Sequence, residues 1–492
     1  MPIFSPRRYQ PPFQPYKRDS LPLRLFTGFE RGTKGALFGC RMCGNCILQE
    51  TAFVCPMTCP KGLRNGLCGD ATPEHCSVDP SRPCTWYMIY ERAERMGRSD
   101  RLLEINAPVD GSRAGHETWL DALRLWRERK AGPHPFDLIT NRQKFNDEWE
   151  RFFYDLRQPA WWQGDSGYHA PAYAEPASDL EARLRSGEFV ITAEVTPPLD
   201  ASTADLHRKL GALAGRVAAA NFTDNAAASA RMSSLACSKI ALDAGLEPVM
   251  QIQARDRSRA VIQSDVLGAA ALGVRNILCL SGDHQSMGPS PAAMPNQFDL
   301  DVVQMLWVLR RMRDEGKYLD GRTIKERPRY FLGAAGSPFG VPPRYEATRA
   351  EKKINAGAQF IQTQPVFDVP RFTEWLEALD RRDLLGKAYV LAGVAPLKSA
   401  KAARYMAAKV PGVYIPPNVL ARMDRAAGLG KEAQQEEGIA IAREIMHELE
   451  HTAGVRGLHI MAVHWDDAVA RLLYEANIDN TRGTDAVASA AP

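Results

Sequence analysis

Short apolar runs alternate with amphipathic helical stretches along most of the chain, beginning near residue 187. Eight runs have the length and residue types of buried strands, and they lie at 189–195, 218–222, 248–252, 276–280, 330–334, 360–363, 389–393 and 457–461. Helical patterns lie between them, for example at 202–213, 231–243, 259–271, 299–315, 344–356 and 369–380. This alternation predicts an α/β fold, a closed (β/α)8 TIM barrel. An open doubly wound sheet is the alternative, but the chain lacks its G-x-G-x-x-G turn.

The first 178 residues follow a different pattern. We predict an extended basic arm over residues 1–35. Six prolines within residues 1–22 disfavour a helix, and the arm carries seven basic and two acidic residues. Residues 36–100 predict a cysteine-rich domain, and 101–178 a connecting segment with short helices near 116–130 and 146–156. We expect the barrel domain to span 179–479 and the tail 480–492 to be disordered.

Composition and charge argue against some classes of function. The chain has 492 residues, of which 45% are hydrophobic and 24% charged, with a formal net charge of +4. This balance argues against a dedicated nucleic-acid binder. No apolar run reaches the length of a membrane span, and the N-terminus lacks the apolar region of a secretory signal. We therefore expect a cytoplasmic protein with no membrane span, and a homo-oligomer is left open.

Eight of the ten cysteines cluster in one short region: Cys40, Cys43, Cys46, Cys55, Cys59, Cys68, Cys76 and Cys84. In a reducing compartment such a cluster indicates metal binding rather than disulfides. The C-x2-C-x2-C run is typical of iron–sulfur proteins, and eight thiolates suffice for two [4Fe–4S] clusters. Two four-thiolate zinc sites are the alternative. We predict that Cys237 and Cys279, which lie in a helical pattern and an apolar run, are small core residues.

Polar residues follow several predicted strands. Glu194 ends the first strand, residues 221–225 (NFTDN) end the second, residues 281–283 (SGD) follow the fourth, and residues 362–364 (QTQ) end the sixth. A barrel gathers the carboxyl ends of its strands at one face, where barrel enzymes carry their chemistry. These side chains therefore predict a polar pocket.

These motifs carry a resemblance. EVTPP (194–198), NFTDN (221–225), SGD (281–283), KINAGAQFIQTQ (353–364) and AGVAPL (392–397) resemble the methylenetetrahydrofolate reductase family in order and spacing. The segment CPMTCPKGLRNGLCGD (55–70) resembles the iron–sulfur subunit that accompanies this reductase in acetogenic bacteria, here fused to the barrel. The resemblance implies flavin-dependent reduction of 5,10-methylenetetrahydrofolate to 5-methyltetrahydrofolate, or the reverse oxidation.

The resemblance also implies residue roles. Glu194 matches the acid that protonates N10 of the folate, Asp283 matches the carboxylate between flavin and pterin, and Gln364 matches the amide that binds the pterin. The predicted flavin contacts, with FAD or FMN as the cofactor, are Asn221, Thr223, Asp224, Asn225, Ser281, Gly282, Asp283 and Lys353. The loop 396–400 lacks the phenylalanine that stacks on nicotinamide in the well-known bacterial form. The electron donor is therefore open between NAD(P)H, ferredoxin and a partner reductase that acts through the clusters.

Two other functions fit parts of the sequence. A flavin-free, folate-dependent methyltransferase barrel with a structural zinc domain is the main alternative. His447 and His451 also fit the H-E-x-x-H pattern of zinc proteases. However, residues 436–451 predict a helix that buries Ile441, Ile445 and Leu449, which leaves the two histidines facing solvent.

Overall fold

The computed structural model describes residues 21–69, 71–123, 134, 136–157, 162, 165–290, 298–410, 412–461 and 465–475. They form two compact units. One unit comprises residues up to 65 together with 85–165, and the other comprises 66–84 together with the chain from 166 onward.

The second unit contains a closed parallel barrel. Its strands are β1 (Val190–Val195), β2 (Ala219–Phe222), β3 (Pro248–Gln253), β4 (Asn276–Leu280), β5 (Phe331–Gly336), β6 (Phe360–Pro365), β7 (Tyr389–Val394) and β8 (Val455–Ile460). Each strand pairs in parallel with the next in sequence, and β8 closes on β1. The predicted (β/α)8 barrel is therefore confirmed.

Helices lie before, between and after the strands of this barrel. They span Asp179–Ser186, Ala204–Leu213, Ser234–Asp243, Arg259–Ala271, Val302–Asp314, Pro343–Asn355, Val369–Asp380, Ala400–Lys409, Pro417–Ala427, Lys431–Glu450 and Asp466–Glu475. Hydrogen-bonding side chains mark several helix starts. The Ser258 side chain accepts a hydrogen bond from the Val261 N–H, and Asp301 forms a capping box with Gln304.

The N-terminal end of the barrel is apolar. Leu180 and Leu184 of the helix Asp179–Ser186 pack against the inward residues of the strands, among them Phe331 and Phe360. These two rings stack with their centroids 4.7 Å apart. Each such side chain contributes roughly 1.5–3 kcal/mol on full burial. This plug leaves the opposite, carboxyl end of the barrel for polar residues.

The first unit contains the helices Leu21–Phe38, Thr85–Arg95, Asp137–Thr140 and Arg142–Arg157, joined by short 3-10 turns. The prediction of an extended arm over residues 1–35 is wrong from residue 21 onward. A regular helix begins at Leu21, and Pro22, the last proline of the predicted arm, lies in its first turn. The cysteine-rich region is also not one compact domain, since residues 66–84 belong to the barrel unit. Most of the expected connecting segment belongs to the first unit.

Among the described residues, every helix is too short or too polar to span a membrane. The arm before residue 21, the tail 480–492 and most of the helix expected near 116–130 lie outside the described residues.

Candidate active site and cysteine cavity

A hydrogen-bonded layer of polar side chains crosses the barrel lumen. Asn221 of β2 donates from Nδ2 to Oε1 of Gln362 on β6 over 2.6 Å. Gln362 Nε2 lies 3.2 Å from both Asn221 Oδ1 and Thr192 Oγ1 of β1. All three residues are fully buried. Because β2 and β6 lie on opposite walls, these contacts span the lumen and fix the side chains in it.

Glu194 lies at the upper edge of this layer, at the end of β1. Gln251 Nε2 of β3 donates to Glu194 Oε2 over 3.3 Å, and His459 Nε2 of β8 lies 4.0 Å from the same oxygen. Burial raises the pKa of Glu194, and the Gln251 hydrogen bond only partly offsets it. This carboxyl group therefore retains its proton to higher pH than an exposed glutamate, as a general acid requires.

Asp224 stabilises the loop after β2. Its carboxylate accepts hydrogen bonds from Arg257 Nη1 over 2.5 Å and from the Gln253 backbone N–H over 2.9 Å. The Gln253 side-chain amide donates to the Asp224 carbonyl. Asp224 thus joins the end of β2 to the end of β3 through a buried ion pair, and its carboxylate is already engaged within the protein.

The loops after β2, β3 and β4 are also tied together. Arg255 donates to the carbonyls of Asp283 and Asn225, each over 3.1 Å. The Asp283 carboxylate accepts the Ala227 N–H over 2.8 Å. Asn225 adopts a left-handed conformation with φ 47°, and its side chain accepts the Arg231 N–H. The predicted contacts at 221–225 and 281–283 therefore form one continuous surface.

Two buried polar atoms on this surface have no hydrogen-bond partner within the described structure: Thr223 Oγ1 and Gln253 Oε1. Such atoms cost free energy unless a ligand or water satisfies them. Gly282, with φ +87°, lies beside half-buried Ser281, and a Cβ at Gly282 would overlap Gln253 Oε1. The surface therefore offers unsatisfied polar groups and a close backbone approach, and both fit a polar, planar ligand.

Lys353 and Gln364 occupy other positions. Lys353 lies on the helix Pro343–Asn355, is buried, and donates from Nζ to the Ala335 carbonyl of β5 over 2.7 Å. Gln364 is half-buried at the end of β6, where the pairing with β7 is irregular between Gln362 and Pro365. This bulge re-aims the strand end next to the lumen.

The first unit contains a cavity lined by Cys40, Cys43, Cys46 and Cys55, with about 350 Å³ of space that is partly open to solvent. The Cys40 thiol hydrogen-bonds to Cys55, which lowers the pKa of Cys55 to about 7, while the same pairing and burial raise the pKa of Cys40. Burial raises the pKa of Cys46. Four converging thiols are a donor set for a metal centre.

A buried charge pair underlies this cavity. Lys34 and Glu30 of the helix Leu21–Phe38 are 4% and 0% exposed, and Lys34 Nζ lies 2.6 Å from Glu30 Oε1. Both line the cavity, and the charge of Lys34 partly offsets the raised pKa of Cys46 and Cys40. A cation in this position stabilises thiolates, the form that binds metals.

The cysteine loop is held in shape by its neighbours. Gly44 has φ +71°, and a Cβ there would overlap the Arg113 carbonyl. Asn45 accepts the Asp110 N–H over 3.1 Å and donates to the Asp110 carbonyl over 3.0 Å. The residues between Cys43 and Cys46 therefore preorganise the loop.

The other cysteines are distributed differently. Cys59 belongs to the first unit, whereas Cys68, Cys76 and Cys84 belong to the barrel unit, so a second four-cysteine site stays a prediction. Cys237 and Cys279 are buried, as predicted. His447 and His451 are exposed, as predicted, and their ligand atoms lie within 4.8 Å of each other and of Glu450.

Sequence reasoning missed His459 and Thr192 as members of the lumen. His459 is a polar residue of β8, and the alternation of side chains along the strand directs it inward. A histidine within the otherwise apolar run 457–461 was the available signal. Gln251 of β3 contacts Glu194 directly.

The fold and lumen together define the class: a (β/α)8-barrel protein with a proton-retaining carboxyl group at the carboxyl end of its strands. Comparison with protein families specifies it further. The family model described as methylenetetrahydrofolate reductase matches residues 179–477, and the chain belongs to this family. A model described as the methylene-tetrahydrofolate reductase C terminal matches residues 23–112.

Curated relatives agree with this assignment. Methylenetetrahydrofolate reductase 1 of Schizosaccharomyces pombe is 23% identical over 242 residues, which cover 48% of this chain and 36% of the relative. Methylenetetrahydrofolate reductase 2 of Saccharomyces cerevisiae is 24% identical over 242 residues, 48% of this chain and 37% of the relative. The matched region thus spans about a third of each relative's length.

One solved structure in the comparison is an uncharacterized protein from Clostridium thermocellum that binds two copies of 5-methyl-5,6,7,8-tetrahydrofolic acid. It is 15% identical and covers 61% of this chain and 98% of its own, with a TM-score of 0.45.

Proposed function

We propose that this chain reduces 5,10-methylenetetrahydrofolate to 5-methyltetrahydrofolate with a bound flavin. The observation that carries the proposal is the half-buried Glu194 carboxyl, whose pKa is raised by desolvation, at the carboxyl end of a barrel of this family. Opening the imidazolidine ring of the substrate requires a proton at N10, and a glutamic acid whose pKa is raised by desolvation keeps that proton to higher pH than an exposed one. The cytoplasmic setting belongs to the same proposal, because cluster-ligating thiols must stay reduced.

The chain's residues have distinct roles in this proposal. Glu194 donates a proton to N10, and Gln364 hydrogen-bonds the pterin edge. The Asp283 carboxylate stabilises the iminium cation that forms when the ring opens. Asp283 is held for this role by the Ala227 N–H.

The flavin, FAD or FMN, would supply hydride transfer from its N5. Thr223 and Gln253 offer it their unsatisfied polar atoms, and Ser281, Gly282 and Asn225 line its loops. Asn221 and Asp224 shape this surface, since their side chains bond to Gln362 and Arg257. Lys353 is proposed to face the flavin phosphate from the β5 side.

The test is anaerobic purification followed by flavin analysis and assay with an artificial electron donor. We expect a bound flavin, turnover of methylenetetrahydrofolate, and a loss of about 10²–10⁴-fold in that turnover for Glu194→Gln. Reduction of the flavin by the same donor should be unchanged. Glu188→Gln, a change outside the lumen, is the control. Wild-type turnover in Glu194→Gln, or protein that never carries flavin, would refute the proposal.

We further propose that Cys40, Cys43, Cys46 and Cys55 hold a [4Fe–4S] cluster. The chemistry of four thiols around one cavity beside Lys34 supports this. A single zinc with Zn–S bonds of about 2.3 Å would bring its sulfurs within about 4 Å of one another. The C-x2-C-x2-C run that supplies three of these four cysteines is typical of iron–sulfur proteins and favours the cluster over zinc.

This cluster would pass electrons singly to the flavin from ferredoxin or a partner reductase, with NAD(P)H as the competing donor. Cys43→Ser should lower the iron and acid-labile sulfide of anaerobically purified protein, and Cys237→Ser should not. If the cluster is the entry point, Cys43→Ser also loses ferredoxin-driven folate reduction. Zinc in place of iron and sulfide would contradict the cluster assignment.

A further inference from the structure

The hydroxyl of Thr192 has three neighbours in the lumen. Its Oγ1 lies 3.3 Å from the Leu458 carbonyl, 3.2 Å from Gln362 Nε2 and 2.9 Å from His459 Nδ1. A hydroxyl has one proton and two acceptor sites. The carbonyl can only accept and the amide nitrogen can only donate. All three contacts are therefore satisfied together only if His459 Nδ1 carries a proton and donates it to Thr192.

This arrangement determines the state of the other ring nitrogen. A neutral imidazole with its proton on Nδ1 has an unprotonated Nε2. That atom lies 4.0 Å from Glu194 Oε2. His459 is 2% exposed, and burial lowers its pKa to about 3, so the ring is neutral at physiological pH.

We propose that His459 is a positioning residue for Glu194, and that its unprotonated Nε2 keeps the proton on the Glu194 carboxyl until the substrate arrives. The lone pair on His459 Nε2 repels a charged Glu194 carboxylate. If Glu194 is protonated, the same lone pair accepts its O–H after a small rotation of the carboxyl group, so the protonated form is favoured. The inference rests on the proposed role of Glu194 as the acid, and it adds a reason why that acid stays protonated.

The charged groups around this pair have partners of their own. On the helix after β1, Arg208 and Lys209 line a small cavity beside Glu194 and pair with Asp205, and Arg208 also lies 3.7 Å from Asp467. Asp224 pairs with Arg257 at the end of β2, and Asp283 accepts a backbone N–H at the end of β4. The neighbouring lumen side chains on β2, β3 and β6 are the neutral amides Asn221, Gln251 and Gln362.

The experiment measures the titration of Glu194 without substrate. Infrared difference spectra between a protein and its Glu194→Gln counterpart isolate the protonated carboxyl band, and its midpoint is followed against pH. His459→Asn retains a donor near the Nδ1 position but removes Nε2. We expect it to lower the Glu194 midpoint by about one pH unit or more, a tenfold change in the ionisation constant. Exposed His207→Asn is the matched control and should leave the midpoint unchanged.

A second variant tests the role of the hydroxyl. Thr192→Val removes the partner that fixes the proton on Nδ1, and it should lower the Glu194 midpoint in the same direction. In folate turnover, both variants should shift the alkaline limb of kcat/KM to lower pH. Nitrogen-15 NMR of the wild-type imidazole should show a neutral ring protonated on Nδ1.

An unchanged Glu194 midpoint in folded His459→Asn and Thr192→Val would overturn the inference. A wild-type imidazole protonated on Nε2, or charged at neutral pH, would overturn it as well. These results do not depend on turnover. Wild-type turnover in Glu194→Gln would instead refute the proposed acid, while the infrared midpoints would still report whether His459 acts on Glu194.

Discussion

Replacing Gly282 with alanine tests whether the loop after β4 is built around a glycine. Gly282 has φ +87°, which costs an alanine about 1–2 kcal/mol relative to glycine. The added Cβ would also overlap Gln253 Oε1, and overpacking of this kind costs roughly 1–3 kcal/mol. The Gln253 side chain is 4% exposed and hydrogen-bonds to the Asp224 carbonyl, so it cannot turn away freely. We therefore expect Gly282→Ala to destabilise the barrel by about 2–5 kcal/mol.

The assay is urea unfolding followed by circular dichroism, with Gly268→Ala as the control. Gly268 lies inside the helix Arg259–Ala271 with no neighbouring atom within 4 Å of an added Cβ. Alanine there should be neutral or stabilising by up to about 1 kcal/mol. In a Gln253→Ala background, Gly282→Ala should lower the free energy of unfolding only by the cost of the positive φ, about 1–2 kcal/mol. Equal penalties in both backgrounds, or a Gly282→Ala protein as stable as wild type, would refute this reasoning.

Three further predictions concern other parts of the two units. Asp224→Ala leaves Arg257 without its most buried partner. We expect the free energy of unfolding, measured with urea, to fall by about 3 kcal/mol. Glu194→Gln should raise the melting temperature more at pH 8 than at pH 5. Burial raises the folded-state pKa of Glu194, so its stabilising contribution is complete at low pH and is lost as pH rises through that pKa. Gly44→Ala should lower the iron content of anaerobic protein, whereas Gly97→Ala, which has a similar φ but open space around it, should not.

The barrel could be predicted from sequence because its strands are short apolar runs separated by helical patterns. The strand over 276–280 was predicted at its exact bounds, whereas β6 continues two residues beyond the predicted end at 363. That extension carries Gln364 and a bulge before Pro365, and a polar residue followed by proline gives no strand signal.

The helix Leu21–Phe38 could not be predicted in the same way. Its two fully buried side chains are Glu30 and Lys34, so charged residues interrupt the apolar pattern on its inward face. His459 was missed for a related reason, because its partners come from β1, which lies more than 260 residues away in the chain. Polar contacts between distant segments leave no local periodicity, and the barrel's closure brings them together.

The polar groups of the lumen are hydrogen-bonded to different extents at different heights along the barrel axis. At the middle level, Asn221, Gln362 and Thr192 satisfy one another across a space that barrels usually fill with branched apolar side chains. One level higher, Thr223 and Gln253 keep unsatisfied atoms. A satisfied network is rigid, and an unsatisfied buried atom is costly until something binds it. A ligand is therefore favoured above the network and excluded from within it, which places Glu194 and its proton at the boundary where a bound ring would meet them.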